Sequence, residues 1–424
     1  MFKRLLLILM AVLILTGCMP APIDKKQTVV PEPEKSMVTR SLSAVGNTFR
    51  INKKLKLAKK GEPMVVAYVG SSIFYDKSEN SVSDLSFEYI KTFLGKKAHL
   101  KKITSGVEDS TSILGNILLK RDVLSKKPDI IFLDYAVFDT PNQDCREAFE
   151  AIIRNSLACE NEPQVVILLN TNSDGSYKQD FMEQVGRYYN LPIINVATAI
   201  QPEISSGRAS FSKFYTEDGK LNEYGKQTVA KLLDNYILQA SKNKKDKSYI
   251  VPQMMYRNST SHNIKFLDAQ NIQSVNDGSY FRGKTKNEDF PNKIEYMTNT
   301  GNLPFTFKLD ANNVFLIMPV STARNDVIQV EVNGKKIAKI DTKGNFDNDV
   351  PQAFKIFSSS KTDKVTVSIK LVDEEEVNTD FSQNPEENDK EDMHENMQKV
   401  KNAMNTPEND FEFWGIAYTK HDSK

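Results

Sequence analysis

Histidine and cysteine are scarce, with four and three copies in 424 residues. Three thiols cannot build a disulfide-dense scaffold or a four-thiolate zinc or iron–sulfur site, so no metal and no cofactor is expected. So little imidazole also narrows the choice of general base at neutral pH. Charge of one sign is not in excess either: 56 basic residues face 55 acidic ones, a net of +1, which provides no drive onto nucleic acid. The apolar run Leu5–Leu15 has 11 residues, short of the ~20 that a membrane-spanning helix needs. What is present, 39% hydrophobic and 26% charged residues, is the balance of a globular protein long enough for two domains.

Lys3 and Arg4 precede the apolar run, and Thr16, Gly17 and Cys18 follow it. A positive segment, a short apolar segment and small residues form an export signal. With Leu15 three positions before Cys18, the pattern resembles the bacterial lipobox, which implies a signal peptide over 1–17, lipidation of Cys18, and a protein held on the extracytoplasmic face of the cell membrane by acyl chains. The next segment, 18–45, carries Pro20, Pro22, Pro31 and Pro33 without an apolar period and is expected to be a flexible tether. Lys53, Lys54, Lys56, Lys59 and Lys60 follow, either against anionic lipid or wall polymer or as a solvated helix face.

From Met64 the chain alternates. Apolar runs at 64–69, 98–103, 129–137, 165–169 and 191–196 read as strands, and 83–93, 112–124, 146–157, 178–189 and 222–238 as helices. Alternation of this kind predicts a three-layer α/β/α sandwich with a parallel five-stranded sheet over 46–241. Ligands of such sheets sit beyond the carboxyl ends of the strands. The first of these ends reads Gly70-Ser71-Ser72-Ile73, where a hydroxyl and backbone amides share a turn, as acyl transfer requires; small polar residues there also simply make the turn.

Several blocks together resemble the SGNH/GDSL hydrolase family. Glu62–Ile73, EPMVVAYVGSSI, looks like its first block and implies Ser72 as nucleophile, with amides near Ser72 in the oxyanion hole. Ser105-Gly106 resembles the second block, implying Gly106 as an oxyanion donor. Ala136 to Asp139 resembles the third, and Asp218 to Leu221 the fifth, implying Asp218 as a retained catalytic partner. Two positions depart from the family: Phe138 stands where the donor asparagine is expected, and Leu221 where the basic histidine is expected. Neither side chain donates or accepts a hydrogen bond. His99 falls at the wrong end of its strand, His262 would have to fold back from beyond the last helix, and Lys220 or Asp139 are the other candidates to act on Ser72.

Cys145 and Cys159 would be ~21 Å apart on one helix, too far to bridge. After a polar linker at 242–248, short β-rich segments over 249–424, with Asn333-Gly334 as a type I′ hairpin turn, predict a β-sandwich-like domain. Trp414, Tyr280 and Phe281 are its candidate sugar-binding aromatics, with core packing as the alternative. Residues 373–410 hold 13 acidic and 3 basic side chains and read as a flexible insertion. The sequence thus points to an esterase or O-deacetylase of a cell-envelope polymer working through Ser72, or to an inactive relative that binds an envelope polysaccharide or protein.

Overall fold

The computed structural model describes residues 35–175, 180–297, 301–372 and 411–421. Cys18, the signal segment and the acidic insertion 373–410 lie outside the described residues, as does His394.

The first sheet has six strands. Five are parallel: β2 (Pro63–Gly70), β3 (His99–Ser105), β4 (Ile130–Asp134), β5 (Gln164–Leu169) and β6 (Ile193–Asn195). β4 and β5 are buried at every position, which is why they read as unbroken apolar runs. β3 is an edge strand, and Lys101 and Lys102 on it discourage further pairing. The sixth strand, β1 (Leu42–Ala44), lies antiparallel to β6 and follows a short helix, α1 (Lys35–Arg40). The folded chain therefore begins before residue 45, inside the expected tether: Met37 is buried, and the Ser41 carbonyl accepts the amide of Asn195 at 2.7 Å.

The parallel order β6-β5-β4-β2-β3 reverses direction between β2 and β4, so the topological switch point falls at Gly70 and Asp134. α2 (Phe49–Ala58), α3 (Val82–Leu94), α7 (Val196–Ser205) and α8 (Glu223–Lys242) cover one face with α1, while α4 (Ser112–Asp122), α5 (Gln143–Leu157) and α6 (Asp180–Tyr188) cover the other. Side-chain N-caps start several of them: Ser81 accepts from Asp84, Asn142 from Cys145, Asn222 from Gly225. Cys145 opens α5, Cys159 lies past its end, and both thiols are free.

The segment after α8 is not a loose linker. Asp246 accepts both the amide and the hydroxyl of Thr48 at 2.9 Å, and the carboxylate of Glu150 accepts the amides of Met255 and Tyr256. A carboxylate 1% exposed needs such donors, and they strap 243–263 to the first domain.

The second domain stacks two antiparallel sheets. The larger has β7 (Lys265–Asp268), β8 (Ser274–Asn276), β11 (Phe305–Val320), β12 (Val327–Val332), β13 (Lys335–Asp341), β14 (Val350–Leu371) and β16 (Gly415–Thr419); the smaller has β9 (Tyr280–Lys284), β10 (Asn292–Tyr296) and β15 (Glu412–Phe413). β11 and β14 each join two expected strands across irregularities in their register, and Asn333 and Gly334 have φ of 52° and 76°, as the hairpin turn requires. Of the three candidate aromatics, Trp414 and Tyr280 are buried and only Phe281 is exposed. Trp414 packs with Phe290, Phe315 and Ile317 against Leu114, Ile117 and Leu118 of the first domain, a shared interdomain core.

Candidate active site

The carboxyl ends of β4, β2 and β3 meet with no room for side chains between them. A Cβ on Gly70 would lie 2.3 Å from the Asp134 carbonyl oxygen, and one on Gly106 would lie 1.6 Å from the Gly70 carbonyl oxygen. Both glycines are required by this close approach of backbones. Ser72 stands at the resulting turn, half-buried, and among the described residues its hydroxyl makes no hydrogen bond.

Asp134, at the end of β4, holds that turn. Its carboxylate accepts the amide of Ile73 at 2.8 Å, and its carbonyl accepts the amide of Ser71 at 3.0 Å. Burial pushes this carboxyl up to about 7 despite the hydrogen bond from Ile73. Lys226 on α8 ties down the chain beyond Ser72, reaching Asp76 at 3.1 Å and the Ser78 hydroxyl at 2.7 Å.

At the second block the chain packs directly on the serine turn. Gly106 packs on Gly70, whereas Asp109, three positions on, adopts a left-handed φ of 54°, which Asp tolerates better than most residues. Its amide donates to the Ser71 carbonyl at 3.0 Å, and its carbonyl accepts Gln352 of β14 at 3.3 Å. The β-sandwich thus touches the loop that abuts the serine turn.

Phe138 follows β4, half-buried and outside both apolar cores of the α/β domain. Asp139 is fully buried and accepts the Ser112 amide at the start of α4 at 2.6 Å, a bond that anchors that helix. Burial raises its carboxyl to about 7. An unfolded aspartate titrates near ~3.9, so the native state binds the proton more tightly, and Asp139 lowers stability as pH rises from ~4 to ~7. Asp139→Asn keeps an acceptor for Ser112 and removes the titration. Thermal melts from about pH 5 to 8 are expected to show the variant gaining on the parent as pH rises; parallel profiles would contradict this.

The fifth block divides in two. Leu221 pairs with Tyr215 in a β-bridge and packs against the first core, in contact distance of Gly225. Lys220, one residue earlier, extends to the loop after β3, its Nζ 3.9 Å from Glu108, and stays 72% exposed. Asp218 is exposed and receives the Thr216 hydroxyl within its own turn, which lowers its carboxyl below the ordinary range.

No described histidine joins Ser72. His99 is exposed at the start of β3, His262 presents its carbonyl to Asn155 on the far turn of α5, and His421 is exposed with its amide on Thr362. Among the described residues no cluster of His, Cys, Asp and Glu could hold a metal ion.

An α/β/α sandwich of this strand order with an appended β-sandwich is a fold that this chain shares with solved two-domain esterases. Among solved structures the chain is similar to a two-domain esterase active on acetylated mannans, with a TM-score of 0.74, and to the same kind of esterase co-crystallized with mannopentaose, with a TM-score of 0.73. In each, identity is 18% and the match covers 91% of this chain and 99% of the other, a likeness of fold. No family model matches the sequence, and no curated protein does.

Proposed function

We propose that this chain is an extracytoplasmic, lipid-anchored protein that uses an esterase-type cleft to bind an O-acylated polysaccharide of the cell envelope without hydrolysing it at an enzymatic rate. The carrying observation is the surroundings of Ser72: its hydroxyl has no base within hydrogen-bond reach among the described residues. Loss of a positioned base costs about 10²–10⁴ in rate, and Phe138, standing where the resemblance expects a donor asparagine, gives an oxyanion no hydrogen bond, a loss of about 10²–10³. Phe138 is half-buried and belongs to neither apolar core of the α/β domain, leaving an apolar surface of the kind on which a sugar ring stacks. The ligand class is supported by the similar two-domain esterase, which acts on acetylated mannans, and the location by the Lys3–Cys18 pattern.

Ester hydrolysis through Ser72 is the second reading, favoured by the unencumbered hydroxyl and by Lys220 beside the cleft loop. Calorimetric titration with acetylated manno-oligosaccharides, with acetate measured in the same cell, separates the two. Saturable binding that Phe138→Ala weakens, with no acetate released, is the expected result; absence of binding would overturn the proposal.

A further inference from the structure

Lysines from three separate connections meet at the amino-terminal end of the parallel strands, opposite Ser72. Lys56 and Lys60 close α2, Lys96 and Lys97 lie between α3 and β3, and Lys126 and Lys127 lie between α4 and β4. The connections are in contact: a Cβ on Gly61 would lie 3.5 Å from the Lys97 carbonyl, and Lys54 joins α2 to Asp129 at 2.8 Å. All six lysines are exposed and none of their ammonium groups makes an ion pair or hydrogen bond among the described residues, whereas Lys53 and Lys54 are matched by Glu162 and Asp129. The carboxylates left without a partner at this end are Glu62 and Glu160. Six unmatched cations against two anions, with Leu57 39% exposed among them, make a basic face that carries an apolar contact. The cleft end is the reverse, carrying Glu108, Asp109, Glu217 and Asp218 around Lys220.

We propose that this lysine face docks on the anionic headgroups of the membrane, so that the Ser72 cleft points away from the bilayer toward envelope polysaccharide. It rests on the lipid-anchored reading for its location. The 17 residues from Cys18 to Lys35 reach at most about 60 Å, so the anchor permits many orientations, and the charge distribution selects one. Each lysine near such a surface adds about a kcal/mol of attraction, screened beyond a Debye length.

The test uses the processed chain, 18–424, with Cys18→Ala, so that no acyl chain contributes, and vesicles of phosphatidylcholine with or without about 30% phosphatidylglycerol. Co-sedimentation in low salt is expected to be at least about tenfold stronger on the anionic vesicles and to vanish in about 0.5 M salt. Lys60→Glu with Lys96→Glu, Lys97→Glu and Lys126→Glu is expected to lower it about tenfold or more, and arginine at the same four positions to retain it. Equal binding to both vesicles, or binding unmoved by charge reversal while the arginine variant is folded, would overturn the proposal. The anchor is read separately, from the membrane fraction of cells making the natural chain or Cys18→Ala, so either claim can fail alone.

Discussion

Gly106→Ala is expected to leave little folded protein. The added methyl would sit 1.6 Å from the Gly70 carbonyl oxygen and 2.8 Å from the Gly70 carbonyl carbon, and both are backbone atoms. Gly70 cannot retreat, because it lies in β2 between two paired strands and is itself pressed against Asp134. Overpacking a site that can give typically costs 1–3 kcal/mol; here the cost is expected to be at least about 3 kcal/mol, out of a total stability of about 5–15. Thermal melts should show a midpoint at least about 6–12 °C lower, or no transition. Gly283→Ala is the control, since its new methyl meets only the flexible side chains of Lys293 and Glu295. An unchanged midpoint in Gly106→Ala would refute the strand juncture on which the serine turn is built.

Trp414→Ala is expected to cost about 3–5 kcal/mol and to weaken both domains together. The indole is 2% exposed, lies 5.8 Å from the ring of Phe290, and donates its Nε1 to Glu412 at 2.9 Å. Removal opens a cavity directly beneath Leu114, Ile117 and Leu118 of α4, the helix whose start is held by Asp139. Calorimetry should show a lower midpoint, with the unfolding transition broadening or splitting as the domains uncouple; one unmoved transition would show that this core does not join them.

The parts of the fold visible in the sequence are those with a strong local cause. Four of the five parallel strands were legible because burial on both faces leaves Ile, Val and Leu in unbroken runs, whereas edge strand β3, with only Ile103 buried, left a weaker one; the Asn333-Gly334 turn was legible because it demands two positive φ angles. β1 and α1 were hidden: Leu42–Ala44 is three residues long, and its pairing with β6 is non-local. β11 and β14 looked like four strands because the irregularity near Ala311–Asn313 interrupts their alternation.

At the site, Ser72 and Gly106 could be found because a strand-end serine and an obligatory glycine leave a sequence signal. Asp134 gave a weaker one, a carboxylate closing the run Ile130–Leu133. Asp109 gave none, since its role lies in a φ angle. For the fifth block, the Asn222 N-cap fixes the start of α8, Leu221 before it packs partly buried against the first core, and Lys220 stays exposed beside Glu108.

Acetate release from an acetylated mannan, followed side by side for the natural chain and Ser72→Ala, tests the central claim most directly. The account predicts two rates alike and close to that of buffer, even where binding is saturated. A natural rate more than tenfold above that of Ser72→Ala would contradict it and make this chain an esterase with a base other than histidine.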